Sequence, residues 1–304
     1  MMMPKIAARL LNAPLMVHPG KAAAILAGIG GRVVGSTVDL QSNFSEINHV
    51  AFASGRPSMG TLGDRLGRSI EARGGKPYDM IGNVAVIPIE GSLVHKGGWL
   101  ESNSGETSYQ GLQTQVARAM RDPSVKGVAF EVDSYGGEVS GAFETSDMIA
   151  ELSKTKPTIA ILSDHAYSAG YLMASAARQI IVPEQGGAGS IGVITMHTDM
   201  SAALDAAGLK ITILAAGEHK ADGNPLQPLP EGVAATILAE LDAMRQTFAG
   251  KVAGYRGKRL SYDNAMATEA RVFTGAEAVR AGLADATGHP SQAFQAFVSA
   301  INRA

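Results

Sequence analysis

Residues 127–137 read Gly-Val-Ala-Phe-Glu-Val-Asp-Ser-Tyr-Gly-Gly, and this stretch decides the fold. Its apolar first half is typical of a short buried strand, and a pair of glycines follows it. Similar apolar runs occupy residues 84–89 and 158–162, and apolar residues at helical spacing lie between the runs. Strands that alternate with helices indicate repeated βαβ units. We therefore expect an α/β fold with a largely parallel sheet and helices packed outside it.

The same alternation continues toward the C-terminus. It predicts a helix over 168–177, strands over 179–182, 191–196 and 210–214, a helix over 201–207 and a long helix from Glu231 to about Ala253. Before this region, residues 1–80 are expected to form an N-terminal arm, with one helix that carries Ala22, Ile25 and Leu26, and a flexible linker rich in Gly, Ser and Arg. Residues 81–290 are expected to form the main domain, and residues 291–304 a C-terminal tail.

The composition excludes several functional classes. The chain has no cysteine, which removes thiol nucleophiles, disulfides and cysteine-bound zinc. A net charge of −2, with 18% charged residues, gives no electrostatic signature of nucleic-acid binding. The apolar run at 22–31 is shorter than the ~20 residues that a membrane-spanning helix needs. We expect a cytosolic protein with no membrane anchor and no nucleic-acid partner.

Three Gly- or Ser-rich segments follow predicted strands and are candidates for chemistry. Gly136 and Gly137 could present backbone amides to a developing oxyanion, or could simply make a tight turn. Ser168 could be a nucleophile at the junction of a strand and a helix, or could cap that helix. Lys220 could be a general base if burial lowered its pKa, or an ordinary solvated lysine.

Histidine is the usual base for a serine nucleophile, so the chain's histidines are candidates as well. His197 is the best placed of them, because it follows a predicted strand and has Asp199 near it. This spacing does not require a Ser/His/Asp triad, and both bases remain open on the residues alone.

Five short motifs resemble, in order and spacing, those of the S49 peptidase family. They are Asp133–Gly137, Ser168–Tyr171, Gly189–Val193, His219–Lys220 and a final pair at 272–278 and 282–285. The family includes signal peptide peptidase A and the head-maturation proteases of tailed phages. The segments 12–19, 219–225 and 241–248 are more similar to the phage branch. Tyr135 departs from the pattern, because relatives often have proline there.

The resemblance implies a ClpP/crotonase-like fold and assigns a role to each matching residue. Ser168 would be the nucleophile and Lys220 the general base of a Ser/Lys dyad. Ser190 would orient the lysine, and Gly137, with Gly136 beside it, would form the oxyanion hole. No metal or organic cofactor would be needed.

The resemblance also implies a biological setting. The protein substrates would be a capsid scaffold, a portal-associated protein or the chain itself, cleaved during capsid maturation. The protein would be a homo-oligomer in the host cytoplasm or the interior of the phage procapsid. Two further alternatives are an acyl-CoA enzyme of the crotonase type and a capsid structural protein that has lost its activity. Against the crotonase alternative, the loops after the Gly136-Gly137 and Ser168 motifs contain no clear pair of acidic residues to handle α-protons.

Overall fold

The computed structural model describes residues 13–18, 68, 72, 75–96 and 105–303. The helix predicted around residues 22–26 and most of the predicted linker lie outside the described residues. The strands are, in chain order, β1 (Leu15–Val17), β2 (Asp79–Ile81), β3 (Val84–Val94), β4 (Glu106–Ser108), β5 (Gly127–Glu138), β6 (Thr158–Tyr167), β7 (Gln179–Val182), β8 (Gly187–Gly189), β9 (Val272–Thr274) and β10 (Ala286–Thr287).

Helices alternate with these strands through most of the described chain. They are α1 (Tyr109–Arg121), α2 (Ala142–Thr155), α3 (Ala169–Ser175), α4 (Ser201–Ala206), α5 (Glu231–Arg256), α6 (Tyr262–Ala267), α7 (Gly275–Arg280) and α8 (Pro290–Arg303). A short 3₁₀ turn at Gly257–Arg259 follows α5.

The path β10-β7-β6-β5-β3-β2 forms the body of the sheet. β3, β5, β6 and β7 run parallel to one another, with α1, α2 and α3 as the crossovers between them. The predicted α/β fold of repeated βαβ units with helices packed outside the sheet is confirmed.

The two faces of the sheet follow from the alternation of side chains along each strand. Val128 and Phe130 of β5 belong to the larger core with α1, α2, α3 and the C-terminal part of α5, whereas Ala129 between them belongs to a second core. That second core packs against Phe294, Phe297 and Ile301 of α8. Residues 291–303, expected as a tail, therefore form a helix that covers one face of the sheet.

Two predicted strands are wrong. Residues 191–196 make only an isolated bridge between Ile194 and Leu15, and residues 210–214 pair with no strand among the described residues. Conversely, β5 and β6 extend beyond their apolar runs, to Glu138 and Tyr167. The added residues of β5 pair with β1 and β3, and those of β6 pair with β5 and β8. These long-range partners cannot be read from a local pattern.

Candidate active site

Ser168 lies between the end of β6 and the first residue of α3. Its backbone has φ 54° and ψ −122°, a strained conformation for a residue other than glycine. Hydrogen bonds on both sides hold it there: the Ser168 amide donates to the Gly189 carbonyl (2.8 Å), and the Leu172 amide donates to the Ser168 carbonyl (2.9 Å). The strain, of order 1–3 kcal/mol, is therefore imposed by the surrounding strands and helix.

The Ser168 side chain does not cap the helix. It makes no capping hydrogen bond to α3, and the residue is only 1% exposed. Oγ has no hydrogen-bond partner among the described residues. A buried hydroxyl without a partner costs about 1–3 kcal/mol, so a site that retains one calls for an explanation. One explanation is that the hydroxyl is a nucleophile whose partners, a base and a substrate, bind only during the reaction.

Gly136 lies beside Ser168, and its position has no room for a side chain. With φ +94°, the point where a Cβ would lie is 2.9 Å from Ser168 Cβ and 3.0 Å from the amide nitrogen of Ala169. The Gly136 amide donates to Ser134 Oγ (3.1 Å), and Ser134 Oγ donates to the Gly91 carbonyl (2.7 Å). This chain of bonds fixes the backbone that faces the serine.

Gly137 faces β3 instead. A Cβ at Gly137 would lie 1.9 Å from the Leu93 carbonyl oxygen, so the absent side chain permits close strand packing on that side. Its register partners are Leu93 in β3 and Met16 in β1. The two glycines thus leave room for different neighbours. The missing side chain of Gly136 makes room for the Met16 carbonyl and for Ser168, whereas that of Gly137 makes room for β3.

Ser190 follows β8 directly and is connected to Ser168 through the backbone of Gly189. Ser190 is buried and has φ 58°, and its amide donates to the Arg271 carbonyl (2.9 Å). Because Gly189 accepts the Ser168 amide, β8 holds the two serines at the same end of the sheet.

Lys220 has different surroundings. It lies in a turn in which its amide donates to the Gly217 carbonyl (3.1 Å), and it is exposed. Since Ser168 Oγ has no partner among the described residues, Lys220 Nζ does not hydrogen-bond to it. The structure therefore brings Ser168, Ser190 and Gly136 to one end of the sheet but does not join Lys220 to them.

His197 is not joined to Ser168 either. Its Nε2 lies 3.0 Å from the Asn224 carbonyl oxygen, an arrangement in which the ring N–H donates. Asp199 accepts the Ser201 amide (2.9 Å) at the start of α4, and this bond is the main cause that lowers its pKa. Asp199 is thus engaged with the backbone of α4.

An aromatic cluster borders the candidate site. The rings of His165 and Tyr167 stack with centroids 4.9 Å apart, and Tyr135 meets both edge-on at 5.4 Å. Burial, with the charge of Asp164 as a lesser cause, raises the pKa of Tyr135. Burial likewise raises the pKa of Tyr167. Both phenols are therefore neutral near pH 7.

Two features of this site were not predicted. The first is the backbone amide of Ala169, which lies beside Gly136 at the site. Its position directly after a candidate nucleophile could have suggested it. The second is β1, which pairs with residues 136–138 from the predicted arm. A three-residue strand leaves too weak a local pattern to be predicted. In addition, no helix within the described ranges has the length and apolarity to span a bilayer.

Comparison with known proteins gives a consistent result. The sequence model of peptidase family S49 matches residues 150–301. The chain is 37% identical over 99% of its length to capsid assembly protease C of Escherichia phage lambda, covering 66% of that protein. It is 34% identical over 98% of its length to the head-tail preconnector protein GP5 of Enterobacteria phage P21, covering 57% of it. The chain thus spans less than two thirds of either relative.

Solved structures of similar shape include a ClpP1 mutant from Listeria monocytogenes. It is 14% identical, with a TM-score of 0.39 over 67% of this chain and 90% of that one.

Proposed function

We propose, from the premise that this chain belongs to peptidase family S49, that it is a serine endopeptidase with Ser168 as nucleophile and Lys220 as general base. The observation that carries the proposal is Ser168 itself. Its backbone is strained, its hydroxyl is buried, and its Oγ has no partner in the described chain. Strain and an unsatisfied polar atom at one residue are typical of active sites.

The proposed reaction is acyl transfer in two steps. Neutral Lys220 takes the Ser168 proton, and the alkoxide attacks the peptide carbonyl. The backbone amides of Gly137 and Ala169 stabilise the oxyanion, and Ser190 orients the lysine. Protonated Lys220 then gives its proton to the leaving amine. In the second step Lys220 takes a proton from water, the hydroxide displaces Ser168 from the acyl-enzyme, and Lys220 returns the proton to the Ser168 oxygen. Proton balance is complete without a cofactor.

This reaction requires that Lys220 be buried and brought to Ser168, and we propose that self-association does so. The segment around Lys220 exposes several large apolar side chains: Leu209, Ile211, Ile213 and Leu214, and Leu238 on the neighbouring half of α5. Such an exposed patch is typical of an interaction surface. A second copy packed on it would remove water from the lysine and lower its pKa, as a base near neutral pH needs.

The substrates and location are proposed from the names of the relatives. Because the two phage relatives are a capsid assembly protease and a head-tail preconnector protein, we assign this chain to capsid maturation. Its substrates would be a capsid scaffold or the chain itself. It would act in the host cytoplasm, in the interior of the procapsid.

Three alanine variants test the dyad. Ser168→Ala and Lys220→Ala should each lower peptide hydrolysis by about 1,000-fold or more, since the members of a catalytic dyad act as a unit. His197→Ala should keep most of the activity. A serine-reactive phosphonate probe should label the wild type and not Ser168→Ala, with circular dichroism as the check on folding.

Other results would replace the proposal. If Lys220→Ala stays active and His197→Ala does not, the chain is a Ser/His peptidase. A properly folded wild type that neither reacts with the probe nor cleaves co-expressed capsid proteins would be a silent structural component. Saturable binding of coenzyme A would favour the crotonase alternative.

A further inference from the structure

The short strand β1 lies in a groove beside Ser168. One wall of the groove is the end of β5, where Leu15, Met16 and Val17 pair antiparallel with Glu138, Gly137 and Gly136. The other wall is Ile194, which exchanges two hydrogen bonds with Leu15: the Leu15 amide donates to Ile194 (2.7 Å) and the Ile194 amide donates to Leu15 (2.9 Å). The segment is thus bonded on both edges, as a peptide is when it is added to a sheet.

The Met16 peptide is the part of β1 that faces the candidate site. Successive residues of a strand present their backbone groups to opposite sides. The groups of Leu15 point to Ile194, so those of Met16 point toward Gly136 and Gly137. The point where a Cβ on Gly136 would lie is 1.9 Å from the Met16 carbonyl oxygen and 2.9 Å from Ser168 Cβ. The Met16 carbonyl therefore lies next to the proposed nucleophile.

The side chains of β1 fit the groove as well. Leu15, Met16 and Val17 are all buried, Met16 completely. Beyond them, the His18 amide donates to the Tyr135 carbonyl (2.9 Å), and the His18 ring lies 5.5 Å from that of Tyr167, within the aromatic cluster. Pro14 and Pro19, which have no amide hydrogen, flank the segment in the sequence. Residues 15–18, which lie between these prolines, thus keep the backbone amides that donate hydrogen bonds to Ile194 and to the β5 strand.

We infer that the groove between Gly136–Glu138 and Ile194 is the peptide-binding groove of the enzyme and takes extended, apolar peptides antiparallel to β5. In this structure residues 13–18 occupy it, with the Met16–Val17 bond in the place of a scissile bond. The chain's own N-terminal segment therefore competes with substrates. This inference rests on the proposed function of Ser168.

A reversible disulfide lock tests the inference, because the chain has no cysteine of its own. Leu15 and Ile194 form a hydrogen-bonded antiparallel pair, whose Cα atoms are typically ~5.5 Å apart, within the range that a disulfide spans. In the double variant Leu15→Cys/Ile194→Cys, oxidation should lower hydrolysis of the fluorogenic peptide Ala-Pro-Leu-Met-aminomethylcoumarin by ~10-fold or more, and reduction should restore it. The matched control is Asp79→Cys/Val86→Cys, an antiparallel pair of β2 and β3. Its activity should not respond to oxidation.

Releasing the segment should have the opposite effect. Met16→Asp places a charge at a fully buried position, so the segment should leave the groove and kcat/KM for the same peptide should rise by ~10-fold, because the open fraction of the enzyme increases. If the lock forms, as verified by mass, and activity does not change, the inference is overturned.

A binding experiment separates failure of the inference from failure of the proposed chemistry. Fluorescence polarisation would follow binding of the labelled peptide Ala-Pro-Leu-Met-Val-His to the reduced and the oxidised double variant, each carrying Ser168→Ala. Binding to the reduced form alone supports the groove even if no variant hydrolyses peptide. Equal binding to both forms overturns it, whatever the activity of Ser168.

Discussion

The end of the sheet that holds Ser168 and the segment that holds Lys220 differ in how their residues are packed. Around Ser168, Gly136 and Ser190, strands approach so closely that glycines have no room for a Cβ, and the backbone is held in strained conformations. Around Lys220, apolar side chains face solvent, up to 92% exposure at Leu214. A nucleophile can be positioned by one folded chain, but here its proposed base lies in a segment that this chain does not bury.

Helix α5 joins the two regions and contains both environments. Its C-terminal half buries Phe248, whereas Leu238 in its N-terminal half is 65% exposed. Phe248→Ala should lower the free energy of unfolding by about 3–5 kcal/mol, because it opens a cavity in the core. Leu238→Ala should change it by about 0.5 kcal/mol or less. Urea denaturation measures both, and equal losses would show that the exposed half is already packed in solution.

The buried ion pair at the end of α5 gives the next largest effect. Arg256 is 1% exposed and donates to both carboxylate oxygens of Asp285 (2.9 and 3.0 Å). Asp285→Asn leaves the buried Arg256 charge unpaired and should lower the free energy of unfolding by about 3 kcal/mol. This is the lower end of the range for breaking a buried ion pair, because asparagine keeps one acceptor oxygen. Glu151→Gln, which breaks the exposed pair with Lys154, is the control and should leave the free energy of unfolding nearly unchanged, because solvent screens that pair.

The pair of Arg256 and Asp285 also predicts how stability depends on pH. Burial by itself would raise the pKa of Asp285, but the hydrogen bonds and charge of Arg256 outweigh it, and the pKa is lowered overall. A carboxyl with a lowered folded-state pKa stabilises the fold above its unfolded pKa of ~3.9, and that contribution is lost as the pH falls through the folded value. The difference in Tm between wild type and Asp285→Asn should therefore shrink below about pH 4. A constant difference would contradict the role of the charge.

Gly136→Ala tests the packed side of the comparison through activity. The new Cβ would meet the Met16 carbonyl oxygen of β1 (1.9 Å) as well as Ser168 Cβ and the Ala169 amide, which cannot move without distorting the serine. The variant is therefore made in the Met16→Asp background, in which β1 has already left the groove. There we expect a loss of about 100-fold in kcat/KM, comparable to removing an oxyanion donor. Gly105→Ala is the control: its φ is also positive, at +78°, but nothing lies within 4 Å of the added Cβ. Equal losses would mean that backbone strain alone, and not the contact with Ser168, is responsible.

Leu214→Asp tests the exposed side and should have the smallest effect on stability. Because Leu214 packs against little in the single chain, the free energy of unfolding should change by about 0.5 kcal/mol or less. Self-association, measured by analytical ultracentrifugation, should weaken, and peptide hydrolysis should fall with it. Ile81→Asp, at an exposed apolar position on β2 away from this patch, should leave association unchanged. Retained association in Leu214→Asp would exclude this patch as the interface.

The sequence predicted those parts of the fold that carry a local signal. The apolar runs at 84–89, 127–132 and 158–162 mark the central strands because a strand buried on both faces must be apolar throughout. The extensions to Glu138 and Tyr167 were missed because partners distant in sequence stabilise them. The alternation at 210–214 was misread as a strand because alternating apolar residues are the pattern of a half-buried strand. In the structure these side chains are exposed, and no described strand pairs with the segment.

For the candidate site, the residue types and their order were readable in advance, but their surroundings were not. Ser168, Ser190, Gly136 and Gly137 stand out as small residues after predicted strands, and the structure brings them to one end of the sheet. Whether Ser168 caps its helix depends on its positive φ, which is held by hydrogen bonds with Gly189 and Leu172, and the sequence cannot show this. Lys220 and His197 both stay candidates for the base, since neither hydrogen-bonds to Ser168 Oγ in the described chain.

The sequence by itself determined the α/β class, the family and the set of candidate residues, because periodicity and short motifs are local properties of the chain. Tertiary structure alone decided that the Ser168 hydroxyl is buried without a partner among the described residues, that Lys220 is exposed, and that residues 15–17 lie beside Ser168. Each of these depends on contacts between segments far apart in sequence, which no local pattern of residues encodes.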